Sequence, residues 1–225
     1  MNILQRFSLT DSVAVVTGAG RGIGRAIALA YAQAGADVVL AARTLSDVER
    51  VAQEIRTLGC RALAVSCDVN DAEQRIALIT QAREHMGRIT HLVNNAGGAG
   101  PNDPLTLSVE CFEDIMRFNV SSAYHLCQLC VPHMRDAGSG NIINITSGAA
   151  RYAQTQFSAY GTAKAALSHM TRLLAQDFAP LVRVNAIAPG PILTDALNRV
   201  LPEPMREGMV RATPLQSLGE PEDIS

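Results

Sequence analysis

Tyr160 and Lys164 stand four residues apart, and Lys164 is the only lysine in the chain, every other Lys/Arg position being arginine. On a helix that spacing puts both side chains on one face. The pair suits one kind of chemistry. Reducing a ketone requires a proton donor at the oxygen as hydride reaches the carbon, and the reverse reaction requires a base at the same place. A free phenol, with a pKa near ~10, is a poor base at neutral pH. A neighbouring ammonium, reinforced by an oxidised nicotinamide, favours the phenolate. A compact three-proton donor can also hold ribose hydroxyls, which a forked guanidinium would do poorly.

Two polar residues upstream can complete such a site. Ser147 lies just past a predicted strand, where its hydroxyl can donate to a developing oxyanion. Asn119, midway along a long predicted helix, can hold a water that relays protons to Lys164. Taken alone, Ser147 reads as a turn serine and Asn119 as a helix residue satisfied locally.

A second constellation opens the chain. Thr17-Gly18-Ala19-Gly20-Arg21-Gly22-Ile23-Gly24 follows a predicted strand and starts a predicted helix. Glycines let the backbone approach a pyrophosphate, and the helix N-terminus supplies free N–H groups and positive potential. The next strand ends Leu40-Ala41-Ala42-Arg43, with alanine where an NAD site carries an acid for the ribose 2′-hydroxyl. Arg21 and Arg43 can clamp a 2′-phosphate instead, with no carboxylate placed to repel it. The charge pattern therefore predicts NADP(H), with NAD(H) as the alternative; the bland reading leaves both arginines as solvated surface charges.

Positioning these groups calls for a parallel sheet with crossover helices. Short apolar runs predict strands over Ser12–Thr17, Asp37–Ala42, Arg61–Ser66, His91–Asn94, Asn141–Thr146 and Val182–Ile187. Helices are expected from Gly22, Asp47, Asp71, Ser108 and about Ser158, two of them with capping-box spacing: Ser46 with Glu49, and Asn70 with Glu73. The fold class is thus α/β, a doubly wound parallel sheet, with residues 1–225 as a single dinucleotide-binding catalytic domain. Residues 189–214, with five prolines, read as a flap.

Composition agrees. At 48% hydrophobic and 18% charged residues the chain is not a disordered one. A net charge of −2 gives no reason to expect nucleic acid. No stretch reads as a membrane span or a leader, so the cytosol is the expected compartment, and five cysteines fit reduced thiols better than disulfides. His125, Cys127, Cys130 and His133 are close in sequence but cannot converge on one metal from a continuous helix; no metal is expected.

The Thr17-Gly18-x3-Gly22-x-Gly24 spacing, together with Asn94-Asn95-Ala96-Gly97, Ser147, Tyr160-x3-Lys164 and Pro189-Gly190, resembles the short-chain dehydrogenase/reductase family, in order from Ser12 to Ile224. The resemblance implies an Asn119–Ser147–Tyr160–Lys164 catalytic set, Asp68 at the adenine, and Asn95 and Gly97 beside the cofactor. It also implies that Pro189, Gly190 and Thr194 hold the nicotinamide carboxamide. Alone, Asp68 and the asparagine run are ordinary loop motifs, and Pro189-Gly190 is a strand-ending turn.

Within the family, Asn94–Pro101 and Ala188–Val200 look most like bacterial 7α-hydroxysteroid dehydrogenases and, less closely, the chain is similar to 3-oxoacyl-[acyl-carrier-protein] reductases. The expected activity is therefore oxidoreduction of a hydrophobic secondary alcohol, possible alternatives being a 3-oxoacyl-thioester or an idle dinucleotide-binding scaffold. The family further implies a homo-oligomer, tetramer or dimer, built on Ser108–Met134 and Ser158–Phe178. It continues past the Pro221–Ile224 segment through a last strand, which is expected to be missing here, leaving an edge strand uncovered.

Overall fold

The computed structural model describes residues 2–194, 197 and 203–225; the part of the predicted flap at 195–196 and 198–202 lies outside the described residues. Among the described residues six strands form one sheet: β1 (Val13–Thr17), β2 (Asp37–Ala42), β3 (Ala62–Ser66), β4 (His91–Asn94), β5 (Gly140–Ile145) and β6 (Val182–Ile187). All neighbours are parallel, in the order β3-β2-β1-β4-β5-β6. The order reverses between β1 and β4, which opens a crevice at the carboxyl ends of the strands.

The apolar runs follow from burial on both faces. Alternate residues of one strand enter different cores: Val15 packs with Leu78, Leu126 and Cys127, whereas Val16 packs with Ile27, Val48 and Ile55. One layer holds α1 (Gly22–Gln33) and α2 (Leu45–Thr57). The other holds α3 (Ala72–Met86), α5 (Ser122–Asp136) and α6 (Ser158–Asp177). A short α4 (Val109–Met116) precedes α5, and α7 (Glu203–Ala212) lies in the flap.

Three expectations are corrected. The predicted strands at Ser12, Arg61 and Asn141–Thr146 move by one residue. Neither predicted capping box forms: α2 starts at Leu45 after Thr44, with no side-chain cap, so Ser46 is already inside it. At α3 the cap is Asp71, whose carboxylate accepts from the N–H groups of Glu73 and Gln74; its negative charge suits the helix N-terminus better than the neutral amide of Asn70. The single long helix from Ser108 is interrupted by a π-helical turn, Arg117–Ser121, between α4 and α5. Among the described residues β6 lies at the sheet edge, with Arg183 and Asn185 exposed.

Far from the crevice, at the start of β4, His91 packs edge-on against Tyr31, ring centroids 5.6 Å apart, with the Thr90 hydroxyl 2.9 Å from Nδ1. Burial, aided by Arg183, holds the imidazole down at about 4. Between about 6.5 and about 4 the unfolded chain therefore binds a proton that the folded chain refuses, so stability falls as pH drops through that window. At about 1.4 kcal/mol per pH unit the loss is at most about 3 kcal/mol. Urea unfolding at pH 7 and pH 5 should show a lower midpoint at pH 5, and His91→Gln should shrink the difference. An undiminished difference in the variant would place the acid sensitivity elsewhere.

Candidate active site

The crevice widens into a cleft of about 910 Å³, within the range of small-molecule sites. Every site residue singled out from the sequence lines this one cleft except Asn119.

At one end the glycine loop is tied to β4. The Thr17 hydroxyl accepts from the N–H groups of Asn95 (3.1 Å) and Ala96 (3.0 Å) and donates to Val93 O (3.2 Å). The Asn95 amide donates to the carbonyls of Thr17 (2.9 Å) and Gly18 (3.3 Å). Gly24 then packs against Gly18: a β-carbon at 24 would sit 2.2 Å from Gly18 O and 2.5 Å from Asn95 Nδ2. The helix that starts here, α1, has Arg21 at its N-cap, no side-chain cap and no acid in its first turn. Its first N–H groups are left free for an anion. Gly22 adopts φ +52° beside the Thr194 methyl, which brings the start of the flap over the loop.

Arg21, Ala42 and Arg43 share the neighbouring wall, as the sequence implies, but a carboxylate stands with them. Asp47, in the first turn of α2, abuts Gly20, where a β-carbon would be 2.8 Å from Asp47 Cβ. The expectation of no acid here is thus corrected: α2 starts early and folds its first turn back onto the loop. Asp47 Oδ1 lies 3.4 Å from Arg50 Nη2, so its charge is partly shared. Asp68, further along, accepts from Asn70 N (2.9 Å).

At the other end Tyr160 and Lys164 occupy the first two turns of α6. Lys164 is 3% exposed; its ammonium donates to Ile145 O (2.9 Å) and lies 5.8 Å from the Tyr160 ring centroid. Burial lowers the lysine to about 8. Burial also raises the Tyr160 phenol above its ordinary value, the Ser147 side chain acting the other way. In the free chain, without the oxidised nicotinamide on which the expected acidification also depends, burial is the larger effect on the phenol. Ser147 caps a short 3₁₀ turn, its Oγ accepting from Ala149 N (3.2 Å), and Gly148 N donates to Pro189 O (2.8 Å), which joins Pro189-Gly190 to the serine.

Asn119 is buried behind this wall. Its Oδ1 accepts from Gly98 N (2.8 Å), and its Nδ2 donates to the carbonyls of Gly98 (3.2 Å) and Ile115 (2.9 Å). Gly97 lies between it and the lysine: a β-carbon there would be 2.8 Å from Asn119 Oδ1 and 3.0 Å from Lys164 Nζ.

Sequence reasoning missed two features. Asn94 Nδ2 donates to Asn144 Oδ1 (2.9 Å), and Asn144 Nδ2 donates to Thr171 Oγ1 (2.9 Å), a buried chain that locks α6 to the sheet. Asparagines inside apolar strand runs are the signal that could have found it. Tyr152, Gln154 and Phe157, from a loop with no distinctive pattern, and Met209 of α7 also line the cleft. The helical histidines and cysteines diverge: Cys127 and Cys130 are in the core, while His125 accepts from Arg75.

The family model described as short chain dehydrogenase matches residues 12–204. The chain belongs to the short-chain dehydrogenase family. It is 50% identical to an uncharacterized oxidoreductase of Mycobacterium tuberculosis, over 99% of this chain and 86% of that protein. It is 41% identical to the 7α-hydroxysteroid dehydrogenase of Escherichia coli, over 96% of this chain and 85% of that one. A solved 7α-hydroxysteroid dehydrogenase, complexed with NADH and 7-oxo glycochenodeoxycholic acid, superimposes with a TM-score of 0.96 at 40% identity, covering 100% of this chain and 88% of that one. This short-chain dehydrogenase is thus an oxidoreductase by family; among its described residues no helix is long and apolar enough to cross a membrane.

Lys164 carries a cost in the free short-chain dehydrogenase. Its folded value of about 8 lies below the ordinary 10.5, so the penalty is fully present below pH 8 and fades as pH rises from 8 to 10.5. Lys164→Met should therefore stabilise the coenzyme-free protein at pH 7, by at most about 3 kcal/mol. Thermal unfolding checks this; a lower Tm would show that the bond to Ile145 outweighs the burial cost.

Proposed function

We propose that this chain is an NADP(H)-preferring oxidoreductase that interconverts a hydrophobic secondary alcohol, of hydroxysteroid type, and its ketone. The reading is carried by one observation: Ser147, Tyr160 and Lys164 share a cleft with an uncapped helix N-terminus flanked by Arg21 and Arg43. When bound, the dinucleotide supplies or receives the hydride. The fit is supported by the close Gly18–Gly24 approach, which leaves backbone N–H groups facing the cleft without side chains in front of them.

The residues then divide the work. The loop from Gly18 to Gly24, with Gly22 and Ile23 opening α1, receives the pyrophosphate. Arg21 and Arg43 clamp the 2′-phosphate, and Asp68 meets the adenine. Asn95 fixes the loop, Gly97 leaves room beside the lysine, and Pro189, Gly190 and Thr194 hold the carboxamide. Ser147 donates to the substrate oxygen. Tyr160, a phenol already protonated at neutral pH and held more firmly so by burial in the free chain, is a ready proton donor for ketone reduction. In the oxidising direction Lys164 and the positive charge of the oxidised ring stabilise the phenolate. Asn119 Oδ1 keeps a second lone pair with which to hold a water behind Lys164.

The mostly apolar cleft, with Tyr152, Phe157 and Met209, suits a rigid hydrophobic substrate, in keeping with the hydroxysteroid relatives. The homo-oligomer in this reading uses α4, α5 and α6, where Val109, Tyr124 and Leu173 are exposed, and the protein works in the cytoplasm.

Tyr160→Phe should lower kcat for a 7-oxo steroid by at least ~10²-fold, the usual scale of lost acid catalysis, while the Kd for NADPH stays within about twofold. Normal turnover in this variant removes Tyr160 from the mechanism. A better kcat/KM on 3-oxoacyl thioesters than on steroid ketones would move the substrate to that class, and tight NADPH binding without turnover on either would indicate a scaffold.

For the coenzyme, wild-type kcat/KM should favour NADPH, and Arg43→Ala should cut the NADPH:NADH ratio by roughly tenfold or more, the value of a lost charged hydrogen bond. A wild-type preference for NADH would mean that Asp47 outweighs the two arginines.

A further inference from the structure

Arg75 is a buried cation in an unusual setting. It is 8% exposed, and among the described residues no carboxylate forms an ion pair with it. Buried guanidiniums are ordinarily paired, because an uncompensated charge is costly away from water. Here the acceptors are neutral. Nη1 donates to the Val69 carbonyl, and Nε donates to Nδ1 of His125 at 2.8 Å. Val69 follows Asp68 in the turn after β3, and both residues line the cleft. One side chain therefore joins α3, α5 and the wall of the cleft beyond Asp68.

We infer that Arg75 is a positioning residue for the coenzyme, held by His125 so that its grip on the Val69 carbonyl sets the Asp68–Val69 wall. The inference rests on reading the cleft as a dinucleotide site. It has a built-in condition. A guanidinium cannot give up its proton, so the bond forms only while His125 is a neutral imidazole with its proton on Nε2 and a bare Nδ1. A protonated imidazole has no lone pair to offer and places two cations in contact. The charged groups around the pair are few: Arg75 and Glu73 of α3 face the imidazole, and Asp68 and Asp71 flank the guanidinium, the nearby Cys67 thiol being held neutral by burial. The sheet face beneath α5 offers only uncharged Leu92, Ile142, Val182 and Val184. Burial and Arg75 both hold His125 below its ordinary value, so the brace is intact at neutral pH and releases on the acid side.

The test is the Kd of NADPH, read by fluorescence between pH 5.5 and 8, for wild type, His125→Gln and Arg75→Met. Glutamine can accept from Arg75 through Oε1 at every pH. Wild-type affinity should fall as pH drops, more steeply than that of His125→Gln; the titration of the coenzyme's own 2′-phosphate is common to both and cancels in the comparison. Arg75→Met should weaken NADPH roughly tenfold at pH 7.5, about 1.4 kcal/mol, with kcat at saturating coenzyme within about twofold. Identical pH profiles for wild type and His125→Gln overturn the inference, as does unchanged affinity in a folded Arg75→Met. Should Arg75→Met not fold, the His125→Gln comparison decides alone. Wild type that binds neither NADPH nor NADH at any pH would instead defeat the dinucleotide reading beneath it.

Discussion

The site rests on a knot of five hydrogen bonds between the ends of β1 and β4. Thr17 and Asn95 satisfy each other's neighbours, and the carbonyls of Thr17 and Gly18 are turned toward the Asn95 amide. Fixing those carbonyls decides where the loop runs, and the loop decides where α1 begins. Because no side chain caps α1, its dipole and free N–H groups look into the crevice opened by the reversal of strand order. The glycines follow from this tie; Gly24 has no room for a β-carbon because Asn95 has drawn Gly18 against it.

At the opposite end the organising constraint is burial. Lys164 is sealed under Gly97, anchored on Ile145 and offset only by neutral dipoles, which explains its lowered value; the phenol beside it is raised by its own burial. Functional sites are where a chain tolerates such unfavourable electrostatics. The asparagine pair Asn94–Asn144 and Thr171 hold α6 in place against that cost, although Asn94 Oδ1 itself finds no protein partner.

Much of this was legible in the residues. Six strands, the start of α1 at Gly22 and the four-residue Tyr160–Lys164 step are consequences of period and local spacing, and spacing survives folding. Likewise the loss of an acid at Ala42 is visible from the strand ending alone. What could not be read depends on contacts between distant segments. Asp47 reaches the cleft because α2 starts two residues early; Arg75 meets His125 across 50 positions; the phenol is raised by how deeply α6 is buried. The capping boxes failed for local reasons: Asp71, one residue after Asn70, takes the backbone N–H groups itself, and α2 starts after Thr44 with no side-chain cap, which leaves Ser46 inside the helix.

The π-helical turn at Arg117–Ser121 has a consequence for how this stretch should be aligned and redesigned. The wider turn takes up one additional residue, so across it the sequence periodicity slips by about 100° while the helix beyond keeps its face. The apolar stripes of α4 and α5 are therefore out of phase, and a continuous heptad drawn through both would assign the wrong residues to the interior. A single deletion there would let the turn close to α-helical geometry and leave Cys127 and Cys130 in the core, so the extra residue is absorbed locally and the rest of the packing need not change.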